Sequence, residues 1–142
     1  MAVTAVDANV FIGYGLKRDQ YHDRARTIVQ GFDEGDLPRG MVTNYVLSEV
    51  LNIIGERVGH ESGVELLDAI IESAGFEIVH LPKADFTAGQ ALYRQYHGLN
   101  FVDSITVAYM QREGIDYLYS FDDDFDAIDG ITRLNTAADP SG

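Results

Sequence analysis

The chain has 142 residues, of which 46% are hydrophobic, and its 23 Asp and Glu against 10 Lys and Arg give a formal net charge of −13. This length and composition predict one globular domain around a single core. The sequence contains no cysteine, which excludes disulfides, thiolate nucleophiles and zinc sites built on sulfur. We expect neither a spanning helix nor a leader, because no apolar run approaches roughly 20 residues and Met1 leads straight into a strand-like segment without a basic stretch. We therefore expect a cytoplasmic protein with no membrane partner.

The charge balance indicates the setting in which the protein works. Lys17 and Lys83 are its only lysines. An acidic, lysine-poor surface is typical of a halophilic protein from a high-salt cytoplasm, where carboxylates stay hydrated and salt screens their repulsion. An acidic protein from an ordinary cell is the alternative. In both cases a broad basic patch for nucleic acid is missing, so a nucleic-acid partner must be held locally.

The apolar pattern predicts strands and helices that alternate along one domain spanning residues 1–142, with 136–142 as a flexible tail. In chain order we predict a strand at 3–12 that runs into a turn or short helix, a helix at 19–34, a strand at 40–43, helices at 45–57 and 61–74, a strand at 76–81, helices at 84–97 and 103–113, and strands at 116–121 and 131–134. Strands separated by helices imply an α/β fold, a central parallel sheet with helices on both faces.

Acidic side chains fall where such a sheet binds ligands, beyond the carboxyl ends of its strands. Asp7 ends the first strand, Asp122 and Asp124 follow the strand DYLYSF, Asp103 opens the helix before that strand, and Glu49 lies on the helix after the second strand. Carboxylates that converge on one edge repel each other unless cations neutralise them. Hard divalent cations with oxygen ligands are the expected partners.

Each acid also has a structural interpretation when it is taken alone. Asp103 suits the N-cap of its helix, Glu49 suits a solvated helix face, and the run from Asp122 to Asp124 suits an acidic turn. Asp7 is harder to explain structurally, because a carboxylate at the end of a buried strand has little use there. Their common position at one sheet edge favours a shared function.

Five segments in order carry a family resemblance: VDANVFIGY, DQYHDRA, VTNYVLSEVLN, LNFVDSITVAYMQREGI and YSFDDDFDAI. Together they resemble PIN-domain ribonucleases, and most closely the VapC-like toxins of prokaryotic toxin–antitoxin pairs. The resemblance implies a single PIN-like domain. It departs from the family at Ser120, where Thr is commoner, and at the triple Asp, which leaves the fourth acid open between Asp122 and Asp124.

The resemblance assigns roles to the acidic and polar residues. Asp7, Glu49, Asp103 and either Asp122 or Asp124 would form the acidic quartet that binds metal, with Asp103 also capping its helix and Asp123 facing solvent. The polar supports that hold these carboxylates would be Asn9, Thr43 and Ser120. Arg24 and Arg26 suit phosphate contacts or surface ion pairs equally well.

The implied activity is hydrolysis of RNA phosphodiester bonds by an endoribonuclease that uses one or two Mg²⁺ or Mn²⁺ ions. The implied partners are an RNA substrate, a cognate antitoxin and a second copy of the chain in a homodimer. The helices at 45–74 support a protein partner, because they carry more apolar residues than one core face needs: Val46, Leu47, Val50, Ile54, Leu66, Leu67, Ile70 and Ile71.

Two other functions fit part of the pattern. A haloacid-dehalogenase-type phosphatase also has an Asp at the end of its first strand, but it needs a second Asp two residues later, where this chain has Asn9. A noncatalytic PIN-like scaffold that only binds a protein is the other alternative. The presence of every candidate acid argues against that scaffold.

The net charge of −13 generates a prediction about salt. Molar KCl should raise the melting temperature, because the Debye length falls to about 3 Å at 1 M and repulsion among surface carboxylates is screened. RNA binding should also lose less affinity with salt than it does in a basic nuclease, because few phosphate contacts release counterions. Thermal melts across a KCl series measure the first effect. A flat or falling curve would contradict the halophilic interpretation.

Overall fold

A computed structural model describes residues 2–142, in which strands and helices alternate as predicted. The strands are β1 (Val3–Val6), β2 (Arg39–Thr43), β3 (Phe76–Val79), β4 (Tyr117–Tyr119) and β5 (Thr132–Leu134). The α-helices are α1 (Ala8–Gly15), α2 (His22–Asp33), α3 (Asn44–Arg57), α4 (His60–Glu72), α5 (Lys83–Gln95) and α6 (Phe101–Glu113), and a 3-10 helix covers Asp123–Ala127. None of these helices is long and apolar enough to cross a membrane.

The five strands form one parallel sheet in the order β3-β2-β1-β4-β5. β1 is the central strand, with β2 and β3 on one side of it and β4 and β5 on the other. The strand order reverses at β1 and β4, and ligands bind outside the carboxyl ends of the strands at such a reversal. Asp7 follows β1 directly at this point.

Neighbouring residues of the central strands point to opposite faces of the sheet, as the period of a strand requires. Val6, Val42 and Tyr119 pack under α1 to α4 on one face. On the other face, Ala5 and Leu118 pack against α6 and the segments around it. The α/β class, with helices on both faces of a parallel sheet, is confirmed.

The first strand ends beside Asp7, as the sequence indicated, and the residues after it form a short helix. β1 ends at Val6, and α1 begins at Ala8 because the Asp7 carboxylate accepts a hydrogen bond from the Ala8 N–H at 2.8 Å and caps the helix. The apolar residues after Asp7 are therefore the buried face of a helix. Asp7 thus has the structural role that the sequence did not reveal.

Candidate active site

Asp7 is fixed at the carboxyl edge of the sheet by the residues that follow β4. Its Oδ2 accepts a hydrogen bond from the Ser120 hydroxyl at 2.7 Å. The same hydroxyl oxygen accepts from the Asn9 side-chain amide at 3.2 Å and from the Asp122 backbone N–H at 3.0 Å. Ser120 therefore uses its one donor and both acceptor positions, and it sets the positions of Asp7 and Asp122 together. Asn9 acts through Ser120 and does not hold a carboxylate directly.

Asp103 lies in the first turn of α6, and the expectation that it caps this helix is wrong. The cap is Asn100, whose side-chain oxygen accepts from the Asp103 backbone N–H at 2.8 Å. Asn is among the best N-cap residues, and Asn100 stands directly before the apolar helix, so this signal was available in the sequence. The Asp103 carboxyl is left without a capping role, although the side chain is only 4% exposed.

Glu49 lies in the middle of α3, at a half-buried position that faces the other acids. Its Oε2 is buried and has no hydrogen-bond partner, the single such side-chain atom found within residues 2–142. Thr43, expected to support a carboxylate, instead accepts from the Val46 backbone N–H at 3.1 Å and caps α3. It acts on Glu49 by fixing the start of the helix that carries this acid.

The three aspartates after β4 differ in their surroundings. Asp122 is partly buried, and its Oδ1 accepts from the Asp124 N–H at 2.9 Å and caps the 3-10 helix. Asp123 and Asp124 are exposed, in agreement with the expectation for Asp123. One carboxylate oxygen from each of the three lies within 4.8 Å of the others.

The pKa values show which acids share one electrostatic environment. Burial raises the pKa of Asp7 to about 6, and the charges of Glu49 and Asp122 add to this, while hydrogen bonds from Ser120 and Ala8 oppose it. Burial also raises the pKa of Asp103, to about 8, with added repulsion from Asp7, Asp122 and Glu49. These four acids form a cluster, called here the acidic cluster.

Asp124 belongs to the edge of this cluster rather than to its centre. The charge of Asp122 raises the pKa of Asp124, and the next contributions come from its hydrogen bond with Asp122, from desolvation and from Asp123. Neither Asp7 nor Asp103 contributes. Asp122 is therefore the member of the triple Asp that faces the other three acids.

The acidic cluster suits a hard divalent cation. The ion pairs of residues 2–142 join Arg39, Arg112 and Arg133 to Glu77, Asp85, Glu113 and Asp126, so none of them neutralises a member of the cluster. Four carboxylates without a direct ion pair and one buried unpaired oxygen, Oε2 of Glu49, present the oxygen donors that Mg²⁺ and Mn²⁺ prefer. The residues present fit such an ion.

The fold and the site together define a class of protein: a parallel α/β domain with a carboxylate cluster at the point where its strand order reverses. Comparison with known families then identifies it, because the PIN domain profile matches residues 4–131. The chain belongs to the PIN domain family, and the predicted resemblance to VapC-like members is confirmed. Membership of this family excludes the haloacid-dehalogenase-type phosphatase.

The relatives include VapC20 of Mycobacterium tuberculosis, a 23S rRNA-specific endonuclease, which is 30% identical over 125 residues that cover 86% of this chain and 91% of VapC20. The crystal structure of VapC20, a Sarcin-Ricin loop cleaving toxin, has a TM-score of 0.73 at 27% identity and covers 89% of this chain and 94% of that one. VapBC2 from Rickettsia felis, bound to a DNA fragment from their promoter, has a TM-score of 0.71 at 13% identity over 94% of this chain and 98% of that one, which shows the fold alone.

In the absence of divalent cations, the free energy of unfolding of the protein should fall as the pH rises. Asp7 and Asp103 have raised pKa values of about 6 and about 8 in the folded chain, against an ordinary value of 3.8. The folded chain therefore binds more protons than the unfolded chain between these values, and the free energy of unfolding falls with pH across this window. The stabilisation is complete below the ordinary value and is lost as the pH passes the raised ones.

Urea unfolding in EDTA from about pH 4 to about pH 8 measures this effect. The free energy of unfolding of Asp103→Asn should depend less on pH than that of the parent. Its difference from the parent should change in favour of the variant by more than about 1 kcal/mol between the low and the high pH, since one pKa unit corresponds to about 1.4 kcal/mol. The matched control is Asp123→Asn, at an exposed position outside the acidic cluster, which should follow the parent. Parallel curves for the parent and Asp103→Asn would contradict the assigned environment of Asp103.

Proposed function

We propose that this protein is a metal-dependent endoribonuclease of the VapC type, the toxin of a type II toxin–antitoxin pair. The observation that carries the proposal is the acidic cluster itself, in which Glu49 Oε2 is buried without a partner. Such a cluster is a local cost to folding, because two carboxylates about 4 Å apart repel by about 4 kcal/mol at an effective dielectric near 20. A cation-binding role explains why the chain retains it.

In this proposal Asp7, Asp103 and Asp122 hold the cation, and Glu49 contributes Oε2 to a second ion or to the orientation of the attacking water. Bound Mg²⁺ or Mn²⁺ would supply the activation of water and the neutralisation of charge at the phosphate. Asp7 and Asp103 must lose their protons before they bind a cation, so cation affinity should rise with pH. Ser120 is a positioning residue, since it holds Asp7 and Asp122 in one arrangement.

RNA is the proposed substrate because VapC20, to which this chain is similar over most of its length, is named an RNA endonuclease. The family relationship favours cleavage over a scaffold that only binds protein, since the chain keeps all the candidate acids. Hydrolysis would take place at the carboxyl edge of the sheet.

We also propose an antitoxin as the protein partner, bound in a groove of about 1130 Å³ at the C-terminal ends of α1 and α3 and against α4. Ile54 and Leu66 form part of its apolar lining, and Lys17, Arg18 and Arg57 line it as well. These cations form no ion pair within residues 2–142, so they are free to meet an acidic partner segment.

The structure corrects the premise that α3 and α4 carry a large apolar surplus. Five of the eight apolar residues named from the sequence are buried in the core: Val46, Val50, Ile54, Leu66 and Ile70. Leu47 and Leu67 are half-buried, and Ile71 is 60% exposed. A homodimer stays a proposal that rests on this smaller exposed surface.

Asp103→Asn tests the metal-dependent activity. Mn²⁺ should raise the melting temperature of the parent and leave that of the variant nearly unchanged, because a ligand stabilises only the fold that binds it. RNA cleavage should fall by at least about 100-fold, since the loss of groups that merely orient metal ligands already costs 10–100-fold. Cleavage of labelled RNA and thermal melts with and without Mn²⁺ measure the two effects.

Asp123→Asn is the matched control for this experiment, with the same change of chemistry at an exposed neighbour of Asp122. It should bind Mn²⁺ and cut RNA like the parent. If Asp103→Asn also behaved like the parent, Asp103 would hold no metal and the proposed site would be wrong. A parent that binds Mn²⁺ but cuts no RNA would favour the scaffold alternative.

Val58→Glu tests the groove. Val58 is 51% exposed and lines it, so a carboxylate there should weaken binding of the protein encoded beside this chain by at least about tenfold, or 1.4 kcal/mol. Val64→Glu on α4 is the control, because Val64 is 41% exposed and does not line the groove. Sedimentation of each chain alone and with the neighbour's product gives both affinities and the oligomeric state. If the chain is a monomer and does not bind the neighbour's product, both the proposed antitoxin and the proposed homodimer are wrong.

A further inference from the structure

A second cavity, of about 470 Å³, lies between the end of α5 and the start of α6 and is lined by Tyr93, Arg94, His97, Gly98, Leu99 and Asn100. Two contacts place it beside the acidic cluster. Asn100 accepts from the Asp103 backbone N–H at 2.8 Å. Gly98 lies so close to Asp124 that a Cβ there would be 2.6 Å from the Asp124 Oδ1. The cavity therefore lies next to the acidic residues at the start of α6 and after β4.

A row of four aromatic rings, called here the aromatic row, leads along the protein surface to the cavity. The ring centroids of Tyr45 and Phe86 are 6.2 Å apart, those of Phe86 and Phe101 are 5.2 Å apart, and those of Phe101 and Tyr93 are 5.6 Å apart. Tyr93 is 52% exposed and Phe86 is 36% exposed. Large exposed aromatic groups that touch one another usually mark a binding surface.

Two members of the aromatic row lie on the helices that carry acids of the cluster. Tyr45 lies one helical turn before Glu49 on α3, so the two side chains share a helix face. Phe101 precedes Asp103 by two residues in the first turn of α6. The row thus involves the two helices, α3 and α6, that carry Glu49 and Asp103.

Arg94 gives the cavity one cationic side chain in a strongly acidic protein, and His97 lies beside it in the lining. Both side chains are exposed, and Arg94 forms no ion pair within residues 2–142. The chain has only 10 Lys and Arg in total. Arg94 is therefore one of few side chains that are available to contact an anion. It would offset the repulsion between the carboxylates of the acidic cluster and a phosphate backbone.

We propose that this cavity binds one nucleotide of single-stranded RNA next to the phosphate that is cut, with its base stacked on Tyr93 and its phosphate held by Arg94 and His97. The proposal rests on the proposed ribonuclease function and adds a subsite to it. Proteins recognise single-stranded RNA by stacking its splayed bases on aromatic side chains. Stacking needs no positive charge, so it suits a chain whose surface offers few cations for the RNA backbone.

The test measures binding of a short single-stranded RNA that contains 2-aminopurine, in Ca²⁺, alongside cleavage of the same RNA in Mn²⁺. Tyr93→Ala should weaken binding about tenfold, abolish the fluorescence quenching that reports stacking, and raise KM more than it lowers kcat. Tyr93→Phe keeps the ring and should behave like the parent. This conservative variant separates loss of stacking from a general loss of structure, and the melting temperatures of both variants check the fold.

Arg94→Ala should lower the slope of log affinity against log salt by about 0.7, the value for one phosphate contact to a single strand. Lys83→Ala is its control, because Lys83 is exposed at the other end of α5 and also forms no ion pair within residues 2–142. It should leave the slope unchanged. An equal effect of the two variants would overturn the role of Arg94.

The outcomes separate this subsite from the function on which it rests. A parent that cuts RNA while Tyr93→Ala binds and cuts like the parent overturns the subsite alone. A parent that binds the probe with Tyr93-dependent quenching but never cuts it overturns the nuclease function and supports the subsite. A parent that neither binds nor cuts overturns both. If Tyr93→Ala converts a dimer into a monomer and leaves RNA binding unchanged, the aromatic row contacts a second copy and the subsite is wrong.

Discussion

The mutual repulsion of four carboxylates is the constraint around which this fold is arranged. Asp7, Glu49, Asp103 and Asp122 come from separate elements, and burial and like charge raise the pKa of Asp7 and of Asp103. The sheet holds them together because its parallel strands end at one edge and two apolar cores fix both faces. Ser120 then joins Asp7 to the loop of Asp122 through a saturated hydroxyl. The remainder of the fold stabilises an arrangement that is locally unfavourable.

Helix α6, which carries Asp103, is held in place by contacts along most of its length. Its residues from Asp103 to Met110 are all buried, so the helix is packed on its α5 side and on its sheet side at once. The absence of a side chain at Gly89 allows α5 to approach, since a Cβ there would lie 2.8 Å from Ile105. Arg112 adds two hydrogen bonds, at 2.7 and 2.9 Å, to the buried carboxylate of Asp85 on α5. These contacts fix the position of Asp103 at the other end of the helix.

The charge of the protein constrains how it meets a polyanion. With a net charge of −13, the surface as a whole repels RNA, and long-range attraction is weak. In the proposed function, affinity for RNA comes from short-range contacts at the site: cations held by the acidic cluster, stacking on the aromatic row and Arg94. This division of roles differs from that of a basic nuclease, in which lysines and arginines along the backbone supply most of the affinity.

The sequence by itself determined the α/β class and the order of the elements, and it indicated Asp7, Glu49 and Asp103 as candidate acids with the fourth left open, because burial patterns and strand ends are local properties of the chain. It misplaced the cap of α6 and the partner of Thr43, since each depends on which hydrogen bonds form once the helices are packed. Only the tertiary structure separated Asp122 from Asp124 and revealed the unpaired oxygen of Glu49. It alone brought Tyr45, Phe86, Phe101 and Tyr93 into one row. Contacts between residues far apart in sequence are set by the crossing of helices, and no local pattern encodes that crossing.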